Sequence, residues 1–471
     1  MAIKTRLLQT YYKPMIEFYL SEIAPALGAV LSGEDVNFVG CSTDTRKIKP
    51  GALYVALRGE RFDGHDFVVE AQKKGASAVI VSREVTCDLP SLRVADTRKA
   101  LGDLARLWRQ RFDLPLVAIT GSNGKTTTKE MLRAIFAEQV APTAVNGEKA
   151  SVLASLGNFN NDIGMPLTLF NLEAGHRYAV IEMGANHPGE IAYLTDIAQP
   201  SCATITQCAQ AHLEGFGSVK GVALAKGEIF YNLKAGGVAV INNDDVYANL
   251  WRELAASHQI SSFALDNPAD VTATDIQLND DNSDFSLQTQ SGEIAIHLPL
   301  PGQHNVMNAL AASACALACG CSLETVQQGL QRMLPVKGRL QISKVNGMTL
   351  IDDSYNANPT SLNAALAVLS NNTPPYWLVL GDMNELGTDS AKFHREAGQR
   401  AREVGVERLW AIGEMSRYAV ESFGEGAYHA SSHDDLIESL RAQLPTQATL
   451  LIKGSRGMQM EIFSDHFFSE Q

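Results

Sequence analysis

The chain has 471 residues, 45% of them hydrophobic, which at ~150 residues per domain makes about three globular units with separate cores. Acidic residues (52) outnumber basic ones (39), and the net charge of -13 carries no basic run; this argues against nucleic acid as a partner and requires any anionic ligand to be met by a local device. Seven scattered cysteines read as reduced thiols, and no apolar run approaches the ~20 residues of a membrane span, so a cytoplasmic protein without membrane contact is expected.

Residues 1–96 alternate short apolar runs (52–57 and 78–81) with polar turns and predict a small α/β domain. Asp96-Thr97-Arg98 then opens a helix with Leu101, Leu104, Leu107 and Trp108 on one face, and Pro115 ends the connection into the next strand. Residues 97–333 alternate strands, among them 178–181 and 238–241, with helical segments, the pattern of a mostly parallel sheet flanked by helices. Within this stretch 266–300 reads as β-hairpins decorating the domain, and a long Ala-rich helix follows His304. Cys315, Cys319 and Cys321 lie in that helical sequence with no second Cys or His pair, and read as small core residues rather than a metal cluster. Residues 334–471 form a third alternation, with strands at 377–380, 408–412 and 449–452, and predict a Rossmann-like domain that lacks a Gly-x-Gly-x-x-Gly fingerprint. The fold class expected is α/β in three domains.

Chemistry starts at the apolar run 115–119, which leads into Thr120-Gly121-Ser122-Asn123-Gly124-Lys125-Thr126-Thr127 and a helical segment. Such a loop aims backbone N–H groups at one anion, the helix N-terminus adds positive potential, Lys125 reaches the outer phosphates and Thr126 offers a hydroxyl to Mg²⁺. Ile119 stands where the commoner phosphate loop has its first glycine, which argues against an ordinary GTPase. Glu182 directly follows the apolar run 179–181, the carboxyl end of a parallel strand, and is placed to hold Mg²⁺ beside a triphosphate. His212, before a Gly-rich turn, and Lys226, in helical sequence, are unremarkable alone. Asn305 and Asn308, three apart on one helical face, either cap the helix end or read an adenine.

Taken together, these segments and their order resemble the Mur ligases of peptidoglycan synthesis. The likeness covers nearly the whole chain: 120–127, Glu182-Met183-Gly184-Ala185, Ala211-His212-Leu213-Glu214-Gly215, Ala225-Lys226-Gly227-Glu228, 304–310 and Lys337-Gly338-Arg339. The segments 352–359, 381–387 and Lys453-Gly454-Ser455-Arg456 narrow it to the member that adds D-alanyl-D-alanine to UDP-N-acetylmuramoyl-tripeptide. The resemblance implies ATP and Mg²⁺ as cofactors, ATP, the UDP-linked tripeptide and the dipeptide as small-molecule partners, and action as a monomer. It further implies ATP binding by Gly121, Ser122, Asn123, Gly124, Lys125, Thr126, Thr127, Asn305, Asn308, Arg339 and Asp353. Thr126, Glu182, His212 and a carbamylated Lys226 would hold metal, and Lys125, His212, Lys226 and Arg339 would be catalytic. Asp44, Thr45, Arg46, Asp63, His65, Asn158, Asn160 and Asn161 would meet the UDP substrate, and Tyr355, Asn356 and Asn358 the dipeptide. Met15-Ile16 resembles the usual family start, making residues 1–14 an extension. A folylpolyglutamate-synthase-like ligase shares the phosphate loop and domain plan, and a phosphate-loop ATPase driving partner binding shares the loop; neither accounts for the N-terminal segments and the Asp353 region jointly.

Overall fold

The computed structural model describes residues 16–468, except 61, 142–143, 146–147, 150, 211–212 and 346. The segment 1–14 expected to be an extension lies outside the described residues. Three sheets organise the chain into a three-domain α/β architecture. The first has five strands in the order Val30–Ser32, Ser91–Arg93, Ala78–Val81, Leu53–Val55, Cys41–Ser42, parallel except for its first pair.

The central sheet has nine strands. Seven are parallel, in the order Ser151–Ala154, His176–Glu182, Leu116–Thr120, Cys202–Ile205, Val238–Asn242, Gln259–Phe263, Val271–Leu278. The last of these turns back through Ser283–Thr289 and Gly292–Leu298 as an antiparallel meander. The expected hairpins are therefore present, but they continue the central sheet instead of decorating it. The run Leu116–Thr120 is buried at every position, as a strand covered on both faces must be. The third sheet runs Gln341–Val345, Met348–Asp353, Thr449–Lys453, Tyr376–Gly381, Val406–Ile412, Ala427–Ala430, parallel except for its first pair.

Helix Thr97–Arg109 joins the first two units. Asp96 caps it, its side chain accepting from the Arg98 and Lys99 N–H groups, and Leu101, Leu104 and Trp108 are buried in one core shared by the first sheet and one face of the central sheet. Trp108 meets Phe18 edge-on at 5.8 Å between ring centroids, which ties the N-terminal strand to this helix. The other face of the central sheet is covered by Lys125–Val140, Gln303–Ala318 and Leu323–Gln331. Cys315 and Cys321 are buried there and Cys319 is half-buried, in agreement with the core reading. Among the described residues no helix is long and apolar enough to cross a membrane.

Leu323–Gln331 backs directly onto the helix that follows the phosphate loop: a Cβ at Gly329 would lie 2.3 Å from the Ile135 Cα. Backbone cannot yield there as a side chain can. Gly329→Val is expected to destabilise the chain by about 1–3 kcal/mol, read as a lowered midpoint of thermal or urea unfolding; an unchanged midpoint would contradict this contact.

Candidate active site

The carboxyl ends of the central strands, the start of helix Lys125–Val140 and the near edge of the third sheet enclose a cleft of about 710 Å³. The phosphate loop forms its floor. Gly124 caps the helix at φ 83°, a left-handed conformation, and a Cβ there would collide with the Asn308 side-chain oxygen at 2.2 Å. The Lys125 ammonium donates to the Gly121 carbonyl at 2.6 Å; burial pulls its pKa down, Glu182 opposes this, and Arg339 adds to it.

Three groups meet at Thr126. Its hydroxyl donates to Glu182 Oε2 at 2.9 Å and accepts from Arg339 Nη2, also at 2.9 Å. Glu182 ends its strand, 3% exposed, with Asn160 Nδ2 donating to its second oxygen at 3.0 Å and the Ser155 hydroxyl accepting from its backbone N–H. Arg339 comes from the third unit, beside Gly338 (φ 72°) and Leu340 (φ 49°). A left-handed leucine is strained backbone of the kind that persists only where its surroundings hold it, here with the Leu340 N–H on Asp353 Oδ1 at 3.3 Å. The Thr126–Glu182 pair is an oxygen-only donor set at the foot of an anion cradle, which fits Mg²⁺ better than a softer metal.

Lys226, 3% exposed, lines the same cleft. Burial, with the Lys125 charge nearby, pulls its ammonium down to about 7, while Cys208 opposes the shift. Asp353 and Lys453 end adjacent parallel strands as register partners and form a buried ion pair, and Lys453 also donates to the Asn356 carbonyl at 3.0 Å. Burial raises the Asp353 carboxyl, partly offset by Lys453.

Several expected residues have structural work as well. Asn305 donates to the Pro301 carbonyl at 2.8 Å and accepts from Asn308 Nδ2 at 3.2 Å, so the pair both secures the start of its helix and lines the cleft. Asn358 caps helix Pro359–Ser370 by accepting from the Ser361 N–H, and exchanges amide hydrogen bonds with Asn123 of the phosphate loop at 2.7 and 3.3 Å. Asn161 Oδ1 accepts from the Gly164 N–H at 2.8 Å, at the start of helix Gly164–Leu169. Asn158, Asn160 and Asn161 line the cleft, as do Ser122, Thr127, Tyr355 and Asn356.

Asp44, Thr45, Arg46, Asp63 and His65 sit together on the first unit and are not part of the cleft wall. Asp44 holds Arg46 through both carboxylate oxygens at 2.9 Å, leaving the guanidinium largely exposed at 84%. His65 is bonded at both nitrogens, to Asp63 at 2.5 Å and to the Ser82 N–H at 2.8 Å, and Thr45 is buried. His212 lies outside the described residues.

Arg98, His304, Lys453 and Arg456 also line the cleft; none of them was given a site role from the sequence, although His304, Lys453 and Arg456 stand in segments that carry the family resemblance. Lys453 was detectable, since it ends an apolar strand as Glu182 does. His304 precedes Asn305, and burial beside Lys453 pushes its imidazole down to about 4. Arg98 lies one residue inside a helix and carries no local signal; it pairs with Asp162 at 2.6 Å.

A phosphate loop, a buried carboxylate at its hydroxyl and an arginine brought by a separate domain define a nucleoside-triphosphate-dependent enzyme whose chemistry lies between domains. The chain matches the family descriptions "Mur ligase family, catalytic domain" over residues 35–109, "Mur ligase middle domain" over 119–316 and "Mur ligase, glutamate ligase domain" over 338–456. It is 42% identical over 451 residues to the UDP-N-acetylmuramoyl-tripeptide–D-alanyl-D-alanine ligase of Escherichia coli K12, covering 95% of this chain and 97% of that one. Among solved structures it is similar to MurF from Acinetobacter baumannii, with a TM-score of 0.90 and 36% identity over 97% of this chain and 100% of that one. MurF ligase from Thermotoga maritima in complex with ADP is similar at a TM-score of 0.79 and 25% identity, covering 91% and 97%. The chain belongs to the Mur ligase family and is an ATP-dependent ligase.

The depressed Lys226 gives a direct test. The amine is protonated below pH 7 and neutral above it, so labelling of Lys226 by a small amine-selective reagent, located by peptide mass spectrometry, is expected to rise with a midpoint near pH 7. A midpoint close to the ordinary lysine value of 10.5 would contradict the buried, cation-flanked setting.

Proposed function

We propose that this ligase joins D-alanyl-D-alanine to UDP-N-acetylmuramoyl-tripeptide, giving the pentapeptide, ADP and phosphate. The observation that carries the reading is the convergence of the phosphate loop, Glu182 and Arg339 on one hydroxyl, in a chain alike over 95% of its length to a ligase of that name. A carboxylate oxygen of the tripeptide attacks the γ-phosphorus, the bond to ADP breaks, and an acyl phosphate forms. The dipeptide amine then attacks the acyl carbon, the bond to phosphate breaks, and the amine loses its proton.

Both steps bring anions together, so the protein's part is to neutralise charge and exclude water. The loop N–H groups and Lys125 would hold the outer phosphates, and Asn305 and Asn308 the adenine side. Arg339 and Asp353 would close over the nucleotide from the third unit. Thr126 and Glu182 would hold Mg²⁺, which when bound offsets the phosphate charge; His212 and a carbamylated Lys226 complete the proposed ligand set. A lysine half neutral near pH 7 is what carbamylation needs, because only the free amine reacts with CO₂. Asp44, Thr45, Arg46, Asp63 and His65 would dock the uridine diphosphate, Asn158, Asn160 and Asn161 would guide the peptide toward the phosphate, and Tyr355, Asn356 and Asn358 would border the dipeptide.

The proposed units are residues 1–96 for the UDP substrate, 97–333 for ATP and 334–471 for closure and the dipeptide. Nucleotide-linked substrates support a cytoplasmic location.

Incubation with Mg·ATP and both acceptors is expected to yield one phosphate per pentapeptide, followed by mass, with neither product when either acceptor is omitted. Glu182→Gln is expected to lower the rate at least about 100-fold. Phosphate release independent of the acceptors would favour a plain ATPase and overturn the reading.

A further inference from the structure

The incoming dipeptide presents two charged ends. Its amine must reach the acyl carbon, so its carboxylate must be held on the far side, by a cation on the third unit. Seven basic side chains line the cleft among the described residues, and most are committed. Lys125 and Lys226 are enclosed at the phosphate end, Arg339 donates to Thr126, and Lys453 is taken by Asp353 and the Asn356 carbonyl. Half-buried His304 is kept neutral by its surroundings, and Arg98 sits at the junction of the first and central units, bound to Asp162.

Arg456 remains. Its side chain is 59% exposed, and Glu461 takes one of its N–H groups at 2.7 Å. Its backbone is held firmly, with its N–H on Asn356 Oδ1 at 3.4 Å and the preceding Ser455 hydroxyl accepting from the Asn384 N–H at 2.8 Å. Two guanidiniums approach the Tyr355 ring, Arg339 at 4.1 Å and Arg456 at 5.6 Å from its centroid. A ligand bordering Tyr355 is thus close to two guanidiniums, of which Arg339 is bound to Thr126 while Arg456 gives one N–H to Glu461 and keeps spare donors. Ala357 and Ala364 also line the cleft.

We propose that Arg456 binds the carboxylate of the incoming dipeptide and so selects an acceptor with a free C-terminus; this rests on the ligase reading above. A fork of N–H donors suits a carboxylate, and loss of one charge-assisted pair corresponds to about 30-fold in affinity.

The test compares D-alanyl-D-alanine with its C-terminal amide. The wild-type enzyme is expected to use the amide with kcat/KM lower by about 30-fold. In Arg456→Met the KM for the acid is expected to rise by a similar factor, with KM for ATP and tripeptide unchanged, the acid-to-amide ratio falling toward one, and Arg456→Lys recovering part of the preference. Equal use of acid and amide by the wild-type enzyme overturns the proposal whatever the variants do, as does an Arg456→Met enzyme that keeps the preference. Absence of pentapeptide from the wild-type enzyme overturns the ligase reading itself, whereas pentapeptide with an unaltered dipeptide KM in Arg456→Met overturns only this assignment.

Discussion

The Thr126 hydroxyl is where the fold becomes an active site. It has one proton to give and lone pairs to receive, and it uses them on Glu182 of the central sheet and Arg339 of the third unit. Because Thr126 is the second residue of the phosphate-loop helix, this links the end of one strand, the start of one helix, where the helix dipole is positive, and a separate domain. Asn123 and Asn358 make a second bridge between the same two units, and the Leu213 N–H on the Glu385 carbonyl a third. The strained Leu340 lies beside Arg339, so the arm that closes the site also stores local strain.

Around that junction the chain buries lysines that would be costly in an inert core. Lys125, Lys226 and Lys453 all lie within the cleft wall, and only Lys453 has a carboxylate in direct contact. Burial, only partly offset by Glu182 at Lys125 and by Cys208 at Lys226, depresses the other two. In the proposed reaction a triphosphate and a substrate carboxylate would supply the missing negative charge. Such a local surplus is the device by which a chain with a net charge of -13 would meet the anionic substrates proposed for it.

Much of this was legible because the informative residues sit where strands end. The phosphate loop after 116–120 and Glu182 after 179–181 are local patterns, and the helix capped by Asp96 carried its own start signal. Three of the third sheet's six strands were visible from apolar runs, while 341–345, 348–353 and 427–430 were not; nor was the Asp353–Lys453 pair, because a register between residues a hundred positions apart leaves no trace in a single sequence. Asn358 shows another limit: a residue read as bordering a ligand also caps a helix and braces the phosphate loop, and composition cannot separate those roles. The meander at 271–298 was read correctly as hairpins, yet its fusion to the central sheet depends on a single parallel register pair at Phe263 and Val271.

In the proposed reaction the cleft directs a carboxylate, not water, at the γ-phosphate. The direct measurement is the fate of ¹⁸O placed in the terminal carboxylate of the tripeptide during turnover with ATP and dipeptide. Attack by that carboxylate predicts one labelled oxygen in each phosphate released. Unlabelled phosphate in step with product would contradict the acyl-phosphate route and the role given to the Thr126 junction.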